Sequence, residues 1–273
     1  MAGSDNEIYA QRIERAQAEM VRQDVNYLFV TPSSDLTYLL GYPAHASERL
    51  TLLGIPRDGE PFVVVPTLES SRLENRRDVI DIHRWDETES PTRLVAQLVE
   101  GAAGATIVVS DQTWAAFLLR LQSELPDSRF APATGVIRVL RMIKDDHEIQ
   151  VLREAGAKAD TVWEEFVTGA RLSGRTERDV ADEISQRLQA QGLPGAGFNI
   201  VGSGPNSASP HHMTSERVIQ QGDAIVFEFG GLWHHYWCDI TRTLHVCEPS
   251  DEFRKVYDTV LAVIAAAMEA VEP

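Results

Sequence analysis

Apolar residues recur at helical spacing near the start of the chain, at Ile8, Ile13, Ala16 and Met20, and predict a helix over residues 7–23. Residues 25–31 form a continuous apolar run that ends in Thr31-Pro32-Ser33-Ser34, the pattern of a strand followed by a turn. Two more apolar runs, 50–55 and 61–66, flank Arg57-Asp58-Gly59-Glu60. The Asp-Gly pair predicts that they form a hairpin. A short buried strand is expected at 106–110 and a helix at 114–125. Helices alternating with strands up to residue 140 imply an α/β unit with a mixed sheet. The polar, proline-bearing stretch 127–132 reads as the approach to a boundary.

The pattern changes at Asp145. Ile149, Leu152, Ala155, Ala159, Val162 and Phe166 follow one helical face, so a long amphipathic helix is expected. A second helix over 176–191 starts with Thr176 and Asp179 in capping positions. Residues 192–197 hold three glycines and a proline and predict a loop. Two strand-like runs, 224–229 and 237–246, are expected to be joined by a turn at Gly230-Gly231. A last helix is expected over 250–271.

Composition narrows the class. Of 273 residues, 43% are hydrophobic and 24% charged, which suits a folded, soluble chain and excludes a disordered one. The apolar stretch 260–268 is about half of the ~18 residues a membrane span needs. The net charge of −16 argues against nucleic acid as a partner, because phosphate binding rests on clustered Lys and Arg. Cys238 and Cys247 stand nine apart without a paired motif, so reduced thiols and a cytoplasmic location are expected.

Candidate chemistry concentrates between Val201 and His245. Glu228 and Asp239 lie eleven apart on consecutive expected strands, where a hairpin can set them face to face. Oxygen donors of this kind suit hard divalent cations. The plainer alternative has Asp239 paired with Arg242 and Glu228 facing water. Asp223, after Gly222, reads as a turn residue. Two histidine pairs, His211-His212 and His234-His235, could each place one imidazole in a site. Pro210 fixes the backbone before His211, whereas His234-His235 reads as an exposed pair. Trp233, Tyr236 and Trp237 either line an apolar pocket or belong to the core of the sheet.

The run from Ser203-Gly204-Pro205-Asn206 through Pro210-His211 to Asp239-Ile240-Thr241-Arg242-Thr243 resembles the creatinase, prolidase and methionine aminopeptidase family. His211 stands seventeen residues before Glu228, which is the spacing of that family. Arg141-Met142-Ile143-Lys144 with Glu148-Ile149 resembles the opening helix of its catalytic domain. Asp35-Leu36-Thr37-Tyr38-Leu39-Leu40-Gly41-Tyr42 with Glu48-Arg49 resembles the creatinase-type N-terminal domain, which favours the prolidase, Xaa-Pro aminopeptidase and creatinase branch. The resemblance implies an α/β creatinase-type N-terminal domain over residues 1–137 and an α+β pita-bread catalytic domain over 138–273. It also implies a metal-dependent peptidase cutting before proline in a dipeptide or peptide. Two divalent metals, Mn, Co or Zn, are implied, with Glu228 and Asp239 as ligands and His211 as the catalytic group that meets the substrate. A cytoplasmic homodimer is implied as well.

The sequence departs from the family pattern at two places. Glu228 stands where the family has its first Asp ligand, which moves the carboxylate outward by about 1.5 Å, the length of one C–C bond. No His-Gly-x-Gly-His segment occurs, so at most two of the five family ligands are present. These departures imply an incomplete catalytic domain resembling an N-terminal fragment, with no metal necessarily bound and no activity in the chain alone. The alternatives are a metal-free hydrolase of creatinase type acting on a C–N bond, or a non-catalytic truncated homologue.

Overall fold

A computed structural model describes residues 2–193 and 198–272 and divides into two compact units, Met1–Lys144 and Asp145–Pro273. The expected loop at 192–197 falls largely on residues outside the described ones. The division comes later than the expected 137/138. The helix Thr134–Met142 belongs wholly to the first unit, where Arg15 and the Tyr38 hydroxyl both donate to the Leu140 carbonyl.

In chain order the first unit contains α1 (Ala2–Arg22), β1 (Tyr27–Val30), α2 (Ser34–Leu40), β2 (Leu52–Pro56) and β3 (Phe62–Pro66). It continues with β4 (Asp81–Trp85), α3 (Pro91–Leu98), β5 (Thr106–Val109), α4 (Ala115–Glu124), β6 (Arg129–Pro132) and α5 (Thr134–Met142). The sheet has the order β4-β3-β2-β1-β5-β6. Its centre is the antiparallel run β1-β2-β3, with β4, β5 and β6 added in parallel. Side chains alternate across a strand. Leu28 and Val30 therefore join Ile13, Met20, Leu36 and Ile137 on one face. Tyr27 and Phe29 join Val95, Phe117 and Leu121 on the other. Burial on both faces explains why β1, β2 and β3 read as unbroken apolar runs. Residues 129–132, expected to approach a boundary, instead form the edge strand β6. Its terminal Pro132 is tolerated because an edge needs fewer ladder donors.

The second unit contains α6 (Asp146–Gly169), α7 (Glu177–Ala190), β7 (Asn199–Ser203), β8 (Ala224–Trp233), β9 (Tyr236–His245) and α8 (Asp251–Glu269). Capping boxes start α6 and α7: Asp145 with Glu148, and Thr176 with Asp179. Such caps contribute ~1 kcal/mol each. Phe166 of α6 packs edge-on to Phe227 of β8 at 5.7 Å, and Trp163 lies 5.3 Å from the same ring. Phe166, Phe227 and Phe229 are fully buried, and each such side chain contributes roughly 1.5–3 kcal/mol by leaving water. By contrast, α8 is exposed along its length except at the half-buried Phe253.

The hairpin does not turn at Gly230-Gly231. The strands run on to His234-His235, whose φ angles of 43° and 72° suit a two-residue primed turn. The glycines serve the strand interior instead. A Cβ on Gly230 would lie 1.8 Å from the Cys238 carbonyl oxygen, and one on Gly231 would lie 2.7 Å from the Leu193 side chain. Close approach of the partner backbone at Gly230 and of a packed side chain at Gly231, rather than reversal of the chain, demands them.

Candidate active site

Displacing the turn changes the register of the two acidic residues. Glu228 pairs with Thr241, and Asp239 pairs with Gly230. The carboxylates are therefore diagonal neighbours rather than directly opposed. Cross-strand partners share a face, so both still lie on the side of the sheet away from Phe227 and Phe229. Glu228 is half-buried between Ile200 of β7 and Thr241 of β9, and Asp239 is exposed. The expected alternative of an Asp239–Arg242 pair does not form. Three residues apart on a strand, they point to opposite faces, and Arg242 instead bonds Asp160 at 2.9 Å.

The histidine pairs separate as well. His211 is exposed in the turn that follows the short 3-10 helix Gly204–Ala208. Its neighbour His212 turns inward and places Nε2 2.9 Å from Glu177 Oε2. Among the described residues, no hydrogen bond or ion pair joins His211 to Glu228 or Asp239. Trp233 donates its indole N–H to Glu154 at 2.9 Å, with Lys158 Nζ over the ring at 4.1 Å. The Tyr236 hydroxyl bonds Glu148 at 2.7 Å. Trp237 is exposed, with Phe198 6.3 Å away on the carboxylate-bearing face.

The sequence reading missed Glu177. This residue opens α7 with no solvent exposure. Its Oε1 accepts from Ser203 N and Oγ, both at 2.7 Å, and from Asn206 Nδ2 at 2.9 Å. Its Oε2 accepts from Ser215 N at 3.1 Å and Ser215 Oγ at 2.7 Å, and meets His212. Burial pushes its carboxyl up. Hydrogen bonds from Ser215, Asn206, His212 and Ser203 outweigh that effect and hold it down to about 2. The only hint in the sequence is its place after the Thr176 cap, where a helix dipole favours an anion. Asp223 also does more than turn the chain. Hydrogen bonding to Arg217 lowers its pKa, and it accepts from the Gln220 amide at 2.8 Å.

The second unit matches the model of metallopeptidase family M24 over residues 150–273. The first matches the creatinase/prolidase N-terminal domain over residues 12–143. The chain is 38% identical to a probable dipeptidase, PepE, of Mycobacterium tuberculosis, covering 98% of this chain and 72% of that relative. The chain belongs to metallopeptidase family M24. Its fold resembles the crystal structure of dipeptidase PepE from Mycobacterium ulcerans, with a TM-score of 0.87 at 37% identity, covering 93% of this chain and 69% of the other. It also resembles a prolidase from Thermococcus sibiricus, with a TM-score of 0.88 at 31% identity, covering 96% and 72%.

M24 membership implies a divalent metal. Glu228 and Asp239 suit such an ion in kind, being hard oxygen donors on one face. They fall short in number. Among the described residues, no group of three or more His, Cys, Asp or Glu side chains is gathered to hold a metal. The residues present do not compose a coordination set by themselves. No helix among the described residues is long and apolar enough to cross a membrane.

Proposed function

We propose that this M24 chain serves the hydrolysis of the bond before proline in a dipeptide or short peptide. In this reading Glu228 and Asp239 are carboxylate ligands of a divalent metal, and His211 donates a hydrogen bond to the substrate carbonyl as negative charge develops there. The observation that carries it is the common face of Glu228 and Asp239 in a chain 38% identical to a probable dipeptidase. In this reading two carboxylates are too few to hold the ion by themselves, and the chain alone does not hydrolyse Xaa-Pro dipeptides. The same reading places it in the reducing cytoplasm as a homodimer, with Mn²⁺, Co²⁺ or Zn²⁺ as the metal.

Calorimetric titration with Mn²⁺, with bound metal counted after dialysis, tests the ligand assignment. Weak or absent binding by the chain alone is expected. Tight stoichiometric binding that survives in both Glu228→Ala and Asp239→Ala variants would place the metal elsewhere. Mn²⁺-dependent cleavage of a Xaa-Pro dipeptide by the chain alone would overturn its inactivity.

Glu228, in the position of an Asp, also favours a second reading, a creatinase-type hydrolase that works without metal. Hydrolysis of a small C–N substrate that persists through exhaustive EDTA dialysis supports that reading against the first.

A further inference from the structure

The group at the start of α7 is a densely bonded polar cluster, and the chemistry assigned above does not use it. Its centre is a carboxylate with no solvent exposure and three donors on each oxygen. The donors come from three separate places on one excursion of the chain. Ser203 ends β7, Asn206 lies in the 3-10 helix, and His212 and Ser215 lie beyond the turn. Only the intervening residues, with His211 among them, carry no bond to it.

A second anchor grips the same excursion. Arg217 donates to Ser203 Oγ at 2.6 Å while holding Asp223. Gly204, at a φ of 52°, is packed so tightly against Asp223 and Arg217 that a Cβ would lie 2.5 Å from the Asp223 carboxylate. Both ends of the excursion are thus fixed to the α7 start. The residue next to His211 is held by its side chain at 2.9 Å and by its amide on the Ser209 carbonyl at 3.2 Å.

We propose that Glu177 is a positioning residue, a buried carboxylate that orders the 203–215 excursion and so fixes where His211 stands. The inference rests on the reading of His211 as the substrate-facing group, but its test does not. A neutral hydrophobic or amide side chain cannot replace the carboxylate. Glutamine keeps the shape but offers one acceptor oxygen in place of two. Either the Ser203 and Asn206 donors or the Ser215 and His212 donors would then face an amide NH₂.

The experiment compares the full chain with its Glu177→Gln variant by ¹⁵N NMR. Amide hydrogen exchange at Ser203 and Ser215 is expected to accelerate at least tenfold. The heteronuclear NOE at the His211 and Met213 amides is expected to fall toward loop values. Phe227 and Thr241, in the β8–β9 ladder, serve as controls and keep their protection. If Glu177→Gln does not fold, Asn206→Ala removes a single donor and is expected to shift the same amides by a smaller factor. Unchanged His211 and Ser215 amides in a folded variant overturn the proposal. So does a uniform loss of protection that includes the controls, since that marks a merely structural role. The NMR readout needs no turnover, so failure of the His211 assignment would leave its outcome intact.

Discussion

Arg217 grips Asp223 with both terminal nitrogens, Nη1 to Oδ2 at 2.6 Å and Nη2 to Oδ1 at 3.0 Å. The guanidinium fork also reaches Ser203 Oγ, so one side chain ties the strand β7 to the turn before β8. Lysine keeps the charge but has no fork, and can satisfy only one of these acceptors well. Arg217→Lys is therefore expected to lower stability by about 1.5–3 kcal/mol, the scale of losing a charged hydrogen bond. Urea unfolding followed by tryptophan fluorescence reads this directly. A midpoint equal to wild type would show that the bidentate pair contributes nothing net.

The pH dependence follows from Glu177. Its pKa is about 2 in the folded chain against an ordinary value of 4.5. Between those values the unfolded chain binds the proton and the folded chain does not, so stability rises with pH. The contribution is complete above about 4.5 and disappears as pH falls toward 2. Asp223, lowered by Arg217, acts in the same direction. Wild type is expected to be well above Glu177→Gln in urea midpoint at pH 6, with the gap narrowing steadily at pH 4 and pH 3. A gap that stays constant with pH would mean the carboxylate's charge is not what the network uses.

Much of this architecture is legible in the residue pattern, and the exceptions have physical causes. β1 to β3 announce themselves because burial on both faces leaves no polar position. β4, with the sequence Asp81-Ile82-His83-Arg84-Trp85, lies at the edge with most of its side chains in contact with water, and it carries no such signal. Glycine misleads at 230–231 because the same missing side chain serves a turn or a close backbone approach, and only the partner strand decides which. The turn that does form uses His234 and His235 in left-handed geometry, which histidine tolerates but does not announce. The proposed site follows the same division. Local motifs mark His211, Glu228 and Asp239, whereas the importance of Glu177 lies in donors 26 to 38 residues away that only the fold assembles.

Gly230 supplies a sharper test of the register. A methyl at this position meets the backbone carbonyl of Cys238, not the tip of a flexible side chain. The β8–β9 ladder must separate locally to accept it. Gly230→Ala is expected to destabilise the chain by roughly 1–3 kcal/mol, the range for overpacking. It should also accelerate amide exchange from Gly231 to Asp239. Gly222, at φ 87° with nothing near its missing Cβ, is the control for a purely conformational penalty. Smaller loss at Gly230→Ala than at Gly222→Ala would argue that β8 and β9 pair in another register.

The two thiols should report on the same hairpin. Cys238 is buried, its sulfur 3.5 Å from the Gly231 carbonyl, and burial pushes its thiol pKa up. Cys247 is exposed just after β9. A thiolate is the reacting form, so burial slows Cys238 through both access and ionisation. Ellman's reagent is expected to titrate one thiol rapidly in the native chain and the second only on unfolding. Cys247→Ser should abolish the fast phase and leave the slow one. In that variant the slow rate measures how often the Gly231–Cys238 end of the ladder opens, and Gly230→Ala should raise it. Two fast equivalents in the native chain would mean that the ladder beside Asp239 is open in solution, and that the face shared with Glu228 is not held as described.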